Sequence, residues 1–461
     1  MLPDDALLAI FDFCVDKDEP TEISTKRGIE SWQTLVHVCR RWRSVVFGSP
    51  HRLNLQVVCT NRSLARKTLD IRPAFPIVIR CDEVYSTEIL DNIIVILEHP
   101  NRVRQITIHL ASSSPLGTVL EAMQVPFPEL TYLRLWSDQN TGPVVPDSFL
   151  GGSASRLRSF NLYRISFPGL PNLLLSATHL VTLRLCGIPH SGYFPPEALV
   201  TALSTLTSLE EFRLQFESPL SCPDRASRRQ PPPTRFVLPV LTYLWFKGVG
   251  EYFEDLVSHI DAPQLNELFI TFFNQILFNT PQLIEFISST SKLKALKKAH
   301  VIFEVDTVRV TFLSPTSEIR VEIPCEEFDW QVSSMEQVCT SCLPPLSTLE
   351  GLYISEELRW KSDWQGNIDD ALWLELLHPF TAVKNLYISQ EFARRIVPAL
   401  VGGRTTEVLP ALQNIFVEEL PTSGPIPEGI QQFITTRQAG QPISVSRWDG
   451  RGMYSFGLPP Y

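Results

Sequence analysis

A Leu-x-x-Leu-x-Leu pattern recurs after residue 70, and a repeat of this kind constrains the fold more than any other feature of the sequence. Its first positions are Val103, Leu130, Leu157, Leu180, Leu209, Leu241, Leu265, Leu349, Val383 and Leu412. Their spacings are 27, 27, 23, 29, 32 and 24 residues up to Leu265, then 34 and 29 residues after Leu349. A single repeat cannot bury its apolar face alone, so the pattern predicts stacked repeats that share one core.

Helix-like segments lie between the predicted strands. They are Thr87 to Glu98, Pro196 to Leu206, Tyr252 to Ile260, Gln282 to Ser289 and Asp370 to His378. A strand followed by a helix, repeated along the chain, predicts an α/β fold with a parallel sheet and outer helices. Residues 70–461 therefore resemble a leucine-rich-repeat protein, and the resemblance implies a curved solenoid.

Two stretches depart from the repeat. One alternates apolar and polar residues with period two, which predicts a local antiparallel insertion at about residues 297–345. Its alternating segments are Val301–Val305, Val308–Leu313 and Ile319–Ile323. The other, residues 221–234, contains three consecutive prolines and is interpreted as an exposed loop, either a flexible connection or a site for a partner.

Composition narrows the partners and the compartment. The 461 residues carry a net charge of −10 and contain no apolar run of the roughly 18 to 20 residues that a membrane span needs. An acidic chain has no general positive field for a phosphate backbone, so we expect neither nucleic acid nor a membrane as partner. Acidic residues near the N-terminus and an odd number of scattered cysteines, nine, predict a cytoplasmic or nuclear protein with reduced thiols.

The first fifty residues predict short helices with more apolar surface than they can bury together. A helix begins after Pro3, and a second is predicted over Trp32–Val46. In the first helix, Leu7, Ile10, Phe11 and Cys14 form a stripe that can face a local core, and Leu8, Ala9 and Phe13 need other cover. We infer a docking partner for this surface.

Two motifs in this segment resemble those of the F-box family, in the form found in mushroom-forming fungi. Residues 2–11, Leu-Pro-Asp-Asp-Ala-Leu-Leu-Ala-Ile-Phe, match the opening of the family pattern. Residues 38–43, Val-Cys-Arg-Arg-Trp-Arg, match its close together with Ser49 and Pro50, although the loop between the halves is longer than the compact family form. The resemblance covers about 50 of 461 residues and implies docking on the Skp adaptor and, through it, on a cullin.

The predicted F-box-like helical domain, residues 1–60, supplies the residues expected at the adaptor contact and in the local core. The sequence does not separate these two roles. The residues are Leu2, Pro3, Leu7, Leu8, Ile10, Phe11, Leu35, Val38 and Trp42. The alternative is a pair of capping helices that packs only on the rest of its own chain.

Within each repeat the second and third leucines point inward, so the residue between them projects from the opposite, concave face. We therefore predict that Leu133, Leu135, Leu183, Leu185, Leu244 and Leu268 are buried. The outward column reads Thr107, Arg134, Asn161, Arg184, Arg213, Trp245, Phe269, Tyr353, Tyr387 and Phe416.

Five members of this column are predicted to bind a client protein: Arg134, Arg184, Arg213, Trp245 and Phe269. The arginines would receive an acidic or phosphorylated segment, flanked by Tyr132, Trp136 and Tyr163. Two alternatives stay open. The arginines could pair with Glu211, Asp138 or other acids of neighbouring repeats, and the chain's own loops could cover the aromatic residues.

The sequence contains no motif that supports catalysis. It lacks GxGxxG, GxxxxGK(S/T), GxSxG and HExxH patterns, its nine histidines are dispersed, and Cys339 and Cys342 have no second pair at metal-binding distance. We therefore expect no metal, no cofactor and no enzyme activity. The sequence is interpreted as a substrate receptor of a Skp/cullin/F-box ubiquitin ligase, with a non-degradative scaffold as the alternative.

Overall fold

The computed structural model describes residues 2–14, 31–49, 53, 56–60, 69, 75–81, 84, 86–110, 113–139, 144–223, 235–273, 279–294, 296–343, 346–356, 370–389, 392–393, 395–396, 400, 408–418, 430–432, 435 and 443–448. The chain forms two compact units, Met1–Ser159 and Phe160–Tyr461. The division predicted from the sequence, between residues 60 and 70, lies elsewhere and stays a prediction.

The first unit begins with three helices, α1 (Asp4–Cys14), α2 (Ser31–Val38) and α3 (Arg40–Gly48). The single helix predicted over residues 32–46 is wrong, because Cys39 is extended at φ −158° and ψ 169° and separates α2 from α3. The Cys39 Sγ accepts a hydrogen bond from the Trp42 backbone N–H at 3.4 Å, which satisfies one of the free donors at the start of α3.

Contacts between helix faces hold α1, α2 and α3 together. The rings of Phe11 in α1 and Trp42 in α3 meet edge to face with centroids 4.7 Å apart. Arg41 pairs with Asp4 at 2.7 Å and also donates to the carbonyl of Leu2. These contacts tie residues 2–11 to residues 38–43.

Four parallel strands follow in the first unit. They are β1 (Val57–Thr60), β2 (Ile77–Cys81), β3 (Val103–Leu110) and β4 (Tyr132–Ser137). Helices Thr87–Leu97 and Ser113–Ala122 connect β2 to β3 and β3 to β4. Strand β1 lies inside residues 1–60, the range predicted as a helical domain, and pairs with β2.

The second unit contains most of the strands. They are β5 (Ser159–Tyr163, which begins at the boundary), β6 (Thr182–Ile188), β7 (Glu211–Phe216), β8 (Phe236–Val237), β9 (Tyr243–Gly248), β10 (Ile260–Asp261), β11 (Glu267–Phe272), β12 (Lys298–Phe303), β13 (Thr307–Leu313), β14 (Glu318–Pro324), β15 (Gly351–Glu356), β16 (Asn385–Ile388), β17 (Asn414–Glu418) and β18 (Ser444–Trp448). In this unit the strand order is β5-β6-β7-β9-β11-β14-β13-β12-β15-β16-β17-β18, and β8 pairs with β10 separately.

Helices of the second unit lie between its strands. They are Leu170–Leu174, Pro196–Leu203, Gly250–Val257, Pro281–Ser289, Phe328–Ser341 and Asp370–Leu377. The helix predicted up to Ile260 ends at Val257, because Ile260 pairs with Phe236 as a strand residue. Of the predicted exposed loop, Ser221 is buried, and residues 224–234 lie outside the described residues.

Strand β13 pairs in antiparallel fashion with both β12 and β14, in the region where period-two alternation predicts an antiparallel insertion. The insertion runs backwards through the sheet, because β14 pairs with β11 and β12 pairs with β15, both in parallel. Three antiparallel strands return the chain to its original direction, so the parallel order resumes at β15.

The interior of both units follows the leucine pattern. Every first position of the repeat is at most 3% exposed, and the predicted inward leucines are at most 2% exposed. The prediction that Leu133, Leu135, Leu183, Leu185, Leu244 and Leu268 are buried is therefore confirmed. Both units are mixed α/β folds whose strands are mostly parallel, and the sheet face opposite these leucines is left for other contacts.

Candidate protein-interaction surfaces

The structure divides the residues of the F-box-like motif into interior and surface positions. Leu7, Leu8, Phe11 and Leu35 are buried, Trp42 is half-buried, and Leu2, Pro3, Ile10 and Val38 are exposed. The stripe predicted for the local core is rotated by about one residue, because Leu8 is inside and Ile10 and Cys14 are outside. The interior of the three helices is thus built from one part of the motif, and a second apolar part faces out.

The exposed apolar surface of α1 includes a residue that the sequence did not place at the adaptor contact. Phe13 is 92% exposed and lies three positions after Ile10, which is 43% exposed, so both lie on one face of α1. At the end of α2, Val38 is 59% exposed. The sequence marked Phe13 only as a side chain in need of cover, and within the first unit it receives almost none.

A second candidate surface is the outward face of the strands in the second unit. The predicted column continues across paired strands, because Arg184 lies opposite Arg213, Arg213 opposite Trp245, and Trp245 opposite Phe269. The structure thus brings four of the five predicted client-binding residues together. Phe269 is only 6% exposed and Asn161 only 9%, so these two positions contribute less open surface than the sequence predicts.

Glu211 is the centre of the charged part of this face. Arg184 binds both carboxylate oxygens of Glu211, with Nε at 2.9 Å and a terminal nitrogen at 3.0 Å, and Arg213 Nε donates to the same carboxylate. Burial by itself would raise the pKa of Glu211, but hydrogen bonds and charges from both arginines hold the pKa below its usual value. The alternative in which the arginines pair with Glu211 is therefore the observed one.

Aromatic rings support the arginines from the next strands. The guanidinium carbon of Arg213 lies 4.8 Å from the ring centroid of Tyr243 and 5.1 Å from that of Trp245. On the far side, Arg320 lies 4.8 Å from the ring of Phe269 and pairs with Glu318 at 2.7 Å. These cation–π contacts cover the aromatic faces with the chain's own arginines, which neither predicted alternative included.

Two polar residues around Arg213 and Trp245 were not predicted. Gln215 follows Arg213 by two positions on the same face of β7, and Lys247 lies opposite Gln215 on β9. The Nε2 atom of Gln215 is buried without a hydrogen-bond partner among the described residues. The two-residue period of β7 and β9 places these side chains outward and could have found them in the sequence. We call Arg213, Gln215, Trp245 and Lys247 the donor patch.

Arg134 belongs to the first unit and has different surroundings. Its guanidinium carbon lies 5.4 Å from the ring centroid of Trp136, on the same strand. Asp138, a predicted partner for an outward arginine, pairs with His109 at 3.0 Å. Arg134 is half-buried and outward, as the repeat predicts.

The last strands carry a stack of aromatic rings. Tyr353 and Tyr387 lie face to face with centroids 4.1 Å apart, and Tyr387 and Phe416 follow at 4.5 Å. Trp448 meets Tyr353 and Tyr387 edge to face at 5.8 and 5.5 Å. Since Tyr353, Tyr387 and Phe416 turn ring faces to one another, this stack mainly stabilises the strands that carry it.

The two cysteines of the CxxC spacing are unlike reactive thiols. Cys339 and Cys342 are buried, and burial raises the pKa of Cys339 and brings that of Cys342 to about 12. Within the described ranges, no group of three or more His, Cys, Asp or Glu residues is placed to hold a metal ion. No helix in that part of the chain is long and apolar enough to cross a membrane.

Comparison with known proteins adds little to this description. No protein-family model and no curated protein matches the chain. Among solved structures, the leucine-rich repeat-containing protein LegL7 from Legionella pneumophila is 12% identical with a TM-score of 0.28, and the match covers 75% of this chain and 93% of that chain. The likeness is too weak to carry an argument, so fold and function rest on the chain's own residues and contacts.

Proposed function

We propose that the protein is a substrate receptor of a Skp/cullin/F-box ubiquitin ligase that works in the cytoplasm or nucleus. The N-terminal helices α1, α2 and α3 dock on the Skp adaptor, and the repeat region, resembling leucine-rich repeats, holds a client protein. The chain itself catalyses no reaction, because ubiquitin transfer belongs to the partner subunits.

The observation that carries the proposal is the exposed apolar face on the helix that bears the motif. Phe13 and Ile10 share one face of α1, and Val38 is exposed at the end of α2. An exposed phenylalanine costs free energy in water, roughly 25 cal/mol per Å² of apolar surface, and a partner that covers the ring recovers this energy. The F-box resemblance of residues 2–11 and 38–43 names the partner expected there.

Substitution of Phe13 tests the adaptor contact. We expect Phe13→Asp to abolish co-purification with the Skp adaptor, because a carboxylate in a dry interface without a partner costs several kcal/mol. Val38→Asp should weaken the interaction in the same assay. Leu8→Asp and Phe11→Asp are poorer tests, since both side chains are buried and their replacement would unfold the helices.

Leu220→Asp is the matched control, because Leu220 is 73% exposed and lies in the second unit. This variant should recover the adaptor as the unmodified protein does. Equal recovery of the adaptor by Phe13→Asp and Leu220→Asp would contradict the proposal. If the adaptor co-purifies but cullin never does, the non-degradative scaffold is the better description.

A further inference from the structure

The donor patch has hydrogen-bond donors without acceptors. Arg213 uses its Nε on Glu211, and its two terminal amino groups have no acceptor among the residues that the structure describes. The buried Nε2 of Gln215 also lacks an acceptor there, and Lys247 has no ion pair with any described acid. Arg213 and Lys247 therefore offer N–H groups toward the same outward face, and the buried amide of Gln215 lies beside them.

Neighbouring residues hold Arg213 in place before any ligand binds. Its side chain is only 15% exposed and lies over the rings of Tyr243 and Trp245. Glu211 fixes its Nε, and Arg184 fixes Glu211 through two hydrogen bonds. Little side-chain entropy remains to be lost when a ligand binds, so Glu211 and Arg184 act as positioning residues.

The local charge has the opposite sign to that of the whole chain. Arg184, Arg213 and Lys247 on β6, β7 and β9 outnumber the neighbouring carboxylates of Glu211 and Glu267, whereas the chain has a net charge of −10. A local excess of positive charge with unused donors favours an anionic ligand.

We propose that the donor patch binds a glutamate or aspartate side chain from an acidic segment of a partner protein. The two terminal amino groups of Arg213 take the carboxylate oxygens side by side, Lys247 completes the contact, and Trp245 forms its apolar wall. The inference rests on the proposed function only in identifying the partner as the client, because the contact itself is a property of β7 and β9.

Nearby acids favour a carboxylate over a phosphate. Glu211, Glu267 and Glu318 lie in the adjacent outward column, separated only by Tyr243. Burial, and next the charge of Glu318, raise the pKa of Glu267, which indicates that further negative charge is unfavourable there. A phosphate with nearly two negative charges would meet more repulsion than a carboxylate with one.

Binding of labelled peptides to the full chain tests this inference. Short fluorescein-labelled peptides that are identical except for three glutamates, three glutamines or three phosphoserines are titrated at low ionic strength and followed by fluorescence polarisation. We expect the glutamate peptide to bind most tightly, and both Arg213→Gln and Lys247→Gln to weaken it roughly 10-fold.

Lys294→Gln is the matched control, because it removes one positive charge at an exposed residue of the short 3-10 helix Ser291–Lys294. It should change the affinity less than roughly 2-fold. Lys247→Gln breaks no ion pair with a described residue, so it keeps the test decisive if Arg213→Gln proves unstable. Adaptor recovery, measured on the same samples, separates failure of this inference from failure of the proposed function.

Equal effects of Lys247→Gln and Lys294→Gln would overturn the inference, since they would show binding through overall charge alone. Equal affinity for the glutamate and glutamine peptides would overturn it as well. Tighter binding of the phosphoserine peptide would overturn the choice of a carboxylate.

Discussion

Glu211 sets the character of the outward face around Arg184 and Arg213. Two guanidinium groups side by side on neighbouring strands repel each other unless an anion lies between them. Glu211 supplies that anion and leaves the pair with a single net positive charge. A ligand therefore contacts the terminal amino groups of one fixed arginine rather than two free guanidinium groups. A modest difference in ligand charge can then decide which segment of a partner binds.

Titration of His300 should affect stability in mildly acidic solution. Burial, and next the charge of Arg309, lower its pKa from 6.5 to about 4, and its Nε2 lies 2.9 Å from the Ser355 hydroxyl. The unfolded chain binds this proton at a higher pH than the folded chain does. Stability from His300 is therefore fully present above pH 6.5 and is lost as the pH falls toward 4.

We predict that His300 lowers the free energy of unfolding by about 2 kcal/mol when the pH is lowered from 7 to 5. Urea unfolding of the unmodified protein and of His300→Gln at both pH values measures it, and the substituted protein should lose less stability by that amount. His179→Gln, at an exposed histidine, is the control and should retain the original pH dependence. Identical pH dependence in His300→Gln would contradict the prediction, because it would show that the pKa of His300 is the same in the folded and the unfolded chain.

At the scale of secondary-structure elements, one carboxylate joins two helices of the second unit. Glu254, in helix Gly250–Val257, is buried and accepts hydrogen bonds from the backbone N–H groups of Gln282 and Leu283 at 3.0 and 2.8 Å. These donors lie at the start of helix Pro281–Ser289, whose own N-cap residue makes no side-chain cap hydrogen bond. A carboxylate from the preceding repeat therefore satisfies the helix end and fixes the spacing of the two helices.

The two faces of strand β9 have different roles, one in stability and the other in binding. Leu244 and Phe246 are at most 1% exposed, whereas Trp245 and Lys247 on the other face are half-buried. We predict that Leu244→Ala lowers the free energy of unfolding by ~2 to 5 kcal/mol, because it leaves a cavity in the shared core. Lys247→Gln should change it by less than about 0.5 kcal/mol.

Chemical denaturation of both β9 variants measures this difference. A loss for Lys247→Gln as large as that for Leu244→Ala would mean that the outward face is part of the folding core rather than a free surface. Circular dichroism of the native proteins should show unchanged secondary structure in both cases.

At the scale of the whole molecule, the two candidate surfaces lie in different compact units. The exposed face of α1 belongs to Met1–Ser159, and the donor patch belongs to Phe160–Tyr461. The proposed receptor function requires an adaptor and a client to be held at once, and we expect surfaces on separate units to form these contacts independently.

We predict that substitutions at the two surfaces act independently. Phe13→Asp should lose the adaptor and bind the glutamate peptide with unchanged affinity, and Lys247→Gln should do the reverse. In the double variant, additive changes in the binding free energies of the adaptor and the peptide would support separate sites. Loss of peptide binding in Phe13→Asp would contradict independence.

The sequence by itself determined the repeated unit, its inward leucines and the antiparallel region. Leu244 and Leu268 are buried as the pattern predicts, because strand alternation and apolar burial act within a few residues of the chain. The same local rules placed Arg184, Arg213 and Trp245 on the outward face.

Tertiary structure decided which of these side chains are free to act. Only the packing of α1 against α3 separates the buried Phe11 from the exposed Phe13, since both are equally apolar in the sequence. Only strand pairing brings Gln215 and Lys247 beside each other and lets Glu211 hold both arginines, because their distance in the chain is set by connections of variable length. Strand register decides which side chains on different repeats contact each other, and register is a property of the folded sheet.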